Sequence, residues 1–454
     1  MQSQIPGPGR WETFRALFPN PFPRFTPFLT EMTARYGNVV AFQLPWRSYV
    51  FVNDAPLIKD VFVTQQHAFS KSLGARTLRF LLGDGLLTSE DPLHRQMRRI
   101  VQPAFHRERI VQYAREMERA AVEFAGGLRP DESFDAHAAM TELTLRIATT
   151  TLFGSDESGS TQTVSRALRL MMEEFPHGLL PLGRLRQRLP LPSTLRFNAA
   201  RDRLDEIIYD VIARRRRDGA QRDDALSMLL AASDAETGFA PSDRQIRDEV
   251  MTLFMAGHET TANLLTWTFY LLAKHPEIDR RLGEAAAAGN RDYVLRVVRE
   301  ALRLYPPAWL VGRESLHEVT LIDGTRIAAK TTVFISPLLL HRRPDYFADP
   351  NRFDPDRWIG FEPQPFSYVP FGGGARRCIG DEFAWHEASI VLAEVARRFR
   401  FGMEEGVEVG TLPLVTLRPA GPVPMRAIER ITSREPSAAA DSDGRPGAAA
   451  SLPA

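Results

Sequence analysis

Helical spacing dominates the apolar positions of this chain, and strand-like alternation is confined to short stretches. Residues 38–44 and 48–53 predict two strands joined around Pro45, Trp46 and Arg47. Residues 107–231 follow a helical pattern, broken near 154–160 and by the prolines at 181, 190 and 192. Residues 319–327 predict a second hairpin, with Asp323-Gly324 as its two-residue turn. Three further helices stand out. The first begins at Ser242, where Ser242 and Gln245 have the spacing of a capping box behind Pro241. It carries Val250, Leu253, Phe254, Leu264, Leu265 and Leu272 before stopping near Pro276. Its apolar residues surround most of the circumference, which predicts a buried central helix. The second starts after Asn290, carries Val294, Val298, Leu302 and Leu304, and ends before Pro306 and Pro307. The third starts near Cys378 and runs through Phe383, Ala384, Ile390, Val391 and Val395 to about Arg398. No stretch reads as a linker, so the pattern predicts one mainly α domain with small antiparallel β-sheets over residues 1–431. Residues 432–454 are rich in Ala, Ser, Pro and Gly and lack any aromatic residue. Such a segment cannot bury enough apolar surface to fold, and a disordered tail is expected.

Composition narrows the function classes. Lys and Arg total 57 against 56 Asp and Glu, a net charge of +1, which gives no global argument for a nucleic-acid partner or an anionic membrane. The longest stretch without a charge runs only from Thr260 to Ala273, too short to span a bilayer, so no membrane anchor is expected. The N-terminus lacks the basic start and apolar core of a signal peptide, which makes a cytoplasmic protein the default. A single cysteine forbids an internal disulfide and any multi-cysteine metal cluster.

That cysteine lies in Phe371-Gly-Gly-Gly-Ala-Arg-Arg-Cys378-Ile-Gly380. The glycines allow close backbone approach to a flat ligand, and a predicted helix follows at once. A thiol at a helix N-terminus beside Arg376 and Arg377 would have its thiolate stabilised by amide dipoles and positive charge. It could then serve as nucleophile or metal ligand, whereas a lone cysteine without such a setting is an inert small hydrophobe. The segment resembles the haem-binding signature of the cytochrome P-450 superfamily, Phe-x-x-Gly-x-Arg-x-Cys-x-Gly, at every fixed position: Phe371, Gly374, Arg376, Cys378 and Gly380.

Other landmarks of that family follow in order. Ala256-Gly-His-Glu-Thr-Thr261 resembles the oxygen-activation segment, Glu300-Ala-Leu-Arg303 the Glu-x-x-Arg pair, and Phe353-Asp-Pro-Asp-Arg-Trp358 the segment whose Arg completes a structural triad. His94-Arg-Gln-Met-Arg98 resembles the helix that pairs with a haem propionate. The resemblance implies haem b (iron protoporphyrin IX) between the central helix and the cysteine loop. Cys378 would be its axial ligand, and His94, Arg98, Arg313 and Arg376 would hold its propionates. It also implies a buried triad of Glu300, Arg303 and Arg357 that serves folding, since an unpaired buried charge is costly. Glu-x-x-Arg has little meaning alone, because Glu116 and Arg119 match it too. Compared with many relatives the stretch between Pro276 and Asn290 is short, and 283–289 is nearly all Ala and Gly apart from Glu284, so a truncated helix is expected there.

Glu259 and Thr260 carry a chemical reading of their own. A Gly and two adjacent Thr make poor helix sequence, and a Thr hydroxyl can bond the preceding turn's carbonyl and open the helix. Splitting O₂ needs two protons, which a hydroxyl fed by a carboxylate reaching toward solvent can supply. A thiolate ligand pushes electron density onto iron and favours O–O cleavage. The segment His258-Glu-Thr-Thr-Ala262 lacks the second His of a zinc protease motif, so that reading is rejected.

The expected activity is therefore that of a monooxygenase inserting one oxygen atom of O₂ into an apolar small molecule such as a terpenoid, fatty acid or macrocyclic natural product. A haem-thiolate binding or sensor protein, or a peroxide-driven or isomerising relative, is the alternative; the acid–alcohol pair argues against both. Family resemblance lines the substrate pocket with Leu78, Phe80, Leu81, Leu82, Phe254, Ala256, Trp309, Leu310, Val311 and Leu414, a set with few polar groups. No dinucleotide fingerprint is present and no iron–sulfur cluster can be ligated, so electrons must come from another protein. A ferredoxin or flavodoxin with its NAD(P)H reductase is expected, docking near Arg95, Arg99 and Arg377.

Overall fold

The computed structural model describes residues 5–18, 21–44, 47–154, 164, 167, 170, 189–218, 224–233, 236–404 and 406–430. The expected tail at 432–454, the turn residues Pro45 and Trp46, and the break after 154 up to 160 lie outside the described residues.

Eight helices position the site. They are α1 (Leu93–Val101), α2 (Arg107–Gly127), α3 (Ala136–Phe153), α4 (Pro192–Asp218), α5 (Asp243–Lys274), α6 (Pro276–Ala287), α7 (Arg291–Leu304) and α8 (Asp381–Arg398). Helix α5 is the axis of the molecule, with α3 packed along it and α4, α7 and α8 against it. Its capping box forms as the sequence implies: Ser242 Oγ accepts from the Gln245 N–H, and Gln245 Oε1 accepts from the Ser242 N–H at 2.9 Å. Helix α7 begins with Asn290 capping Tyr293 N–H and stops ahead of the prolines.

The truncated helix expected after Pro276 is not found: α6 is complete from Pro276 to Ala287, with Leu282, Ala285 and Ala286 buried. Alanine is the best helix former, so an Ala-rich tract propagates the helix. Gly283 is there for space, because a Cβ at that position would lie 2.6 Å from the Arg430 guanidinium.

The sheets are small. Strands β1 (Val39–Leu44), β2 (Arg47–Val52), β3 (Phe69–Lys71), β4 (Val311–Ser315) and β7 (Thr332–Ile335) form a five-stranded sheet in the order β1-β2-β7-β4-β3. Its β2–β7 pairing is parallel, with Val50 opposite Val333, so this sheet is mixed rather than antiparallel. Strands β5 (Val319–Thr320) and β6 (Arg326–Ile327) form the second hairpin. Its turn is longer than the two residues expected. Gly324 N–H bonds Leu321 O, and Gly324 itself sits at φ +86°, the positive-φ position that follows a type I turn in a three-residue loop. Strands β8 (Thr411–Pro413) and β9 (Leu417–Pro419) form a third hairpin against α5.

Candidate active site

From Ile246 to Leu272 every residue of α5 is buried except Ala256, Gly257 and Thr260. A Cβ at Gly257 would meet Leu152 and Ala148 of α3 at 3.7 and 3.8 Å, ordinary contact distances. Ala256 is exposed although it stands at the middle of a core helix, so the surface it presents faces the interior of the protein. Cys378 has the same character: protein surrounds it, yet its residue keeps accessible surface.

The loop that carries Cys378 is shaped by its glycines. Gly372 and Gly374 adopt φ of +70° and +69°. A Cβ at Gly374 would fall 1.8 Å from the Phe62 carbonyl oxygen, so no other residue fits there. Phe371 packs edge-on against Trp385 of α8, and its carbonyl accepts the Cys378 N–H at 3.0 Å. Cys378 is not in the first helical turn, as the sequence suggested, because α8 begins at Asp381 with Gly380 as its cap. Burial pushes the thiol up to about 11, outweighing the Gly380 N–H, Arg98 and Arg377. The peptide surroundings alone therefore keep it protonated at neutral pH, and a coordinated metal ion would be what removes that proton.

Around this loop the fold gathers cations. Lys71 on β3 stands directly opposite Arg313 on β4, and like charges in register destabilise an antiparallel pair. Arg376 pairs with Glu90, but its Nη1 is buried and unpartnered. Burial and the neighbouring Arg376 lower Arg313 to about 10, and burial lowers Lys71 to about 7. His94 is held at about 4 by burial and by Lys71 and Arg376, so at neutral pH it is an uncharged hydrogen-bonding group rather than a cation. Arg98 donates to the Arg377 carbonyl at 2.8 Å, and Cys378 and Asp381 lie within its electrostatic reach. Glu90 is the carboxylate facing Lys71, Arg313 and Arg376 most closely, so this corner carries an excess of buried positive charge that an anion with two carboxylates would balance.

Thr260 donates its hydroxyl to the Ala256 carbonyl at 2.8 Å, as its helix position implies. Glu259 departs from expectation. It does not reach toward solvent but is buried, with Oε1 accepting from Thr416 Oγ1 at 2.5 Å and 3.3 Å from Arg418 Nε. Solvation of an isolated buried carboxylate would be lost, and Arg418 replaces it.

The triad is fully assembled. Glu300 accepts from Arg303 at 2.8 and 2.9 Å, from Arg357 Nε at 3.2 Å, from the Trp358 indole at 3.1 Å and from Asp354 N–H at 3.1 Å. Arg303 spends its remaining N–H groups on the carbonyls of His341, Pro350 and Arg352.

The pocket candidates divide. Leu78, Leu81, Leu82 and Phe254 belong to the main core, Phe254 stacked on Phe153, while Phe80 packs on Phe197. Trp309 is buried beside Leu338 and Leu417 and donates to the Leu414 carbonyl at 3.0 Å; Leu310 packs against the same small cluster. Ala256, Val311 and Leu414 keep accessible surface. Of the basic face, Arg95 lies 3.6 Å from Asp91, Arg99 pairs with Glu236, and Arg377 lies 2.6 Å from Asp381.

Sequence reading missed Lys71, Glu90, Thr416 and Arg418, whose partners are remote in the chain. It also passed over Glu249 and Glu387, two carboxyls that burial raises to about 8. Glu249 gave no separate signal, since it follows Arg247 and Asp248 in the polar first turns of the helix.

The family model described as Cytochrome P450 matches residues 6–419. The chain is 37% identical to cyclooctatin synthase of Streptomyces melanosporofaciens over 88% of its length and 90% of that protein. It is 34% identical to cyclooctat-9-en-7-ol 5-monooxygenase of the same organism, covering 88% of this chain and 89% of the relative. Pentalenene oxygenase of Streptomyces avermitilis is 33% identical, covering 90% and 93%. With an accessible thiol in the cysteine loop, a buried Glu-Arg-Arg triad, a family model matched over residues 6–419 and relatives aligned over most of both chains, the chain belongs to the cytochrome P450 family.

Proposed function

We propose that this P450 monooxygenase hydroxylates or epoxidises an apolar terpenoid, using haem b held through Cys378 and electrons from a separate ferredoxin or flavodoxin. The observation that carries the proposal is the accessible surface at Ala256 and Thr260, one turn apart on a helix otherwise buried from Ile246 to Leu272 but for Gly257, matched by accessible surface at Cys378. Iron protoporphyrin IX, when bound, supplies the binding and reductive splitting of O₂. Arg98, Arg313 and Arg376, with neutral His94, would hold its carboxylates, and Phe371, Gly374 and Gly380 would shape the loop against its ring. The unpartnered Nη1 of Arg376 and the Lys71–Arg313 register support that assignment. Thr260 would present its hydroxyl proton to the oxygen being reduced, and Glu259 would replace it. Two of the relatives are named for pentalenene and cyclooctat-9-en-7-ol, which together with the apolar pocket candidates favours a terpenoid over a fatty acid. A cytoplasmic location belongs to the same proposal.

The test uses ¹⁸O₂ with a panel of polycyclic alkenes and alcohols. NAD(P)H-dependent turnover should be absent with the purified protein alone and appear with an acidic ferredoxin and its reductase, one labelled oxygen entering the product. Raising salt should slow reduction, since steering charges are screened over about 10 Å at 0.1 M. Turnover with NADPH and no partner, or label from water, would overturn the scheme.

Thr260→Ala should retain haem and substrate binding while sending most electrons to peroxide. Glu259→Gln should slow turnover by on the order of a hundredfold at an unchanged substrate dissociation constant. Both are read by comparing NAD(P)H consumed, product formed and peroxide released; parent-like ratios in both variants would remove the assigned roles.

A further inference from the structure

The carboxylate of Glu259 is seated by groups that arrive from two distant parts of the chain. Thr416 Oγ1 donates to Glu259 Oε1 at 2.5 Å. Asn263, one helical turn beyond Glu259 on α5, donates its Nδ2 to Thr416 Oγ1 at 3.1 Å. Asn263 Oδ1 lies 3.1 Å from His137 Nε2 on α3. An amide oxygen can only accept, so this network assigns His137 the tautomer protonated at Nε2. Every hydrogen in the series then points the same way, from His137 through Asn263 and Thr416 to Glu259. Hydrogen bonds aligned head to tail polarise one another, and the last member gains most where charge is concentrated. Glu259, Asn263 and Thr416 are all buried, so water does not compete for these groups.

The support behind Thr416 is stiff. It sits between β8 and β9, in a hairpin fastened by two indoles: Trp267 donates to the Leu417 carbonyl and Trp309 to the Leu414 carbonyl, each at 3.0 Å. Arg418, two residues along the same hairpin, brings the compensating charge to Glu259 Oε1. Charge and direction are thus supplied by different residues. Arg418 keeps the carboxylate in the core, and the Thr416 hydroxyl fixes which way it faces.

We infer that Thr416 is a positioning residue for the proton step, holding Glu259 in one orientation beside Thr260 through a hydrogen-bond series that begins at His137. This rests on the proposed role of Glu259. Thr416→Val keeps the shape of the side chain and removes only its hydrogen bonds. In the haem-loaded enzyme with its redox partner, that variant should raise the ratio of peroxide to product by about three- to tenfold, the net worth of one ordinary intramolecular hydrogen bond. The reduced, CO-bound spectrum and the substrate dissociation constant should not change, and Thr416→Ser should restore the parent ratio. His137→Phe, at the far end of the series, should shift the ratio in the same direction and serves as the test if Thr416→Val loads haem poorly. A second readout needs no turnover: in denaturant unfolding, Thr416→Val and Glu259→Gln should be non-additive, since residues in contact couple. A parent-like peroxide fraction in Thr416→Val and His137→Phe, equal behaviour of Thr416→Val and Thr416→Ser, or additive unfolding would overturn the inference while leaving Glu259 in its role. A Glu259→Gln enzyme that couples electrons to product as the parent does would overturn the relay itself, and this inference with it.

Discussion

Cys378→Ser should abolish the long-wavelength Soret band of the reduced, CO-bound protein and bring monooxygenation down to background. The reason lies in what the loop offers. Its backbone is fixed by Gly374 against Phe62 and by the Cys378 N–H on the Phe371 carbonyl, so a serine side chain will occupy the same place. What changes is the atom. A serine hydroxyl is far less acidic than a thiol and far less able to push electron density onto iron. The variant should therefore fold and melt like the parent, and the loss should be confined to spectrum and chemistry. Retention of the thiolate-type band after this substitution would refute the assignment of Cys378 as ligand.

Glu300→Ala should have the opposite profile, with the chemistry untouched in principle and the fold lost. Glu300 receives hydrogen bonds from Arg303, Arg357, Trp358 and Asp354, and both Glu300 and Arg303 are fully buried. Removing the carboxylate strands the Arg303 charge in the core. Breaking a buried pair in this way costs about 3–5 kcal/mol. Against a total stability of about 5–15 kcal/mol, that is enough to leave much of the chain unfolded at growth temperature. The measurement is the yield and melting temperature of the purified variant beside the parent. Parent-like values would show that the triad is dispensable.

Much of this site was readable in the sequence because its signals are local. The capping box at Ser242, the glycines before Cys378 and the Glu300–Arg303 spacing each express a physical demand met within a few residues. The misreadings share a cause of the opposite kind. Glu259 was expected to reach for solvent because a proton supply needs that route; what holds it in the core instead, Thr416 and Arg418, lies more than 150 residues away. Lys71 was overlooked because its significance comes from standing across a strand from Arg313. The Ala-Gly tract at 283–289 was read as a truncated helix, yet Gly283 leaves the space that the Arg430 guanidinium fills, and Arg430 is remote in the chain. Local pattern reveals elements and motifs, and the electrostatics of the site are written in tertiary pairings.

The segment from His341 to Asp354 contains neither helix nor strand, yet Arg303 meets the carbonyls of His341, Pro350 and Arg352 within it. One guanidinium here does what a neighbouring strand does elsewhere, collecting backbone acceptors that would otherwise lack donors. Main-chain oxygens are supplied by any residue, so those contacts place little demand on which side chains the segment carries. They place a strict demand on its length. An added or deleted residue between these three carbonyls would carry at least one of them off the guanidinium. What the guanidinium reads in this stretch is therefore the number of its residues, while the letters are fixed elsewhere, by the burial of His341, Phe347 and Phe353.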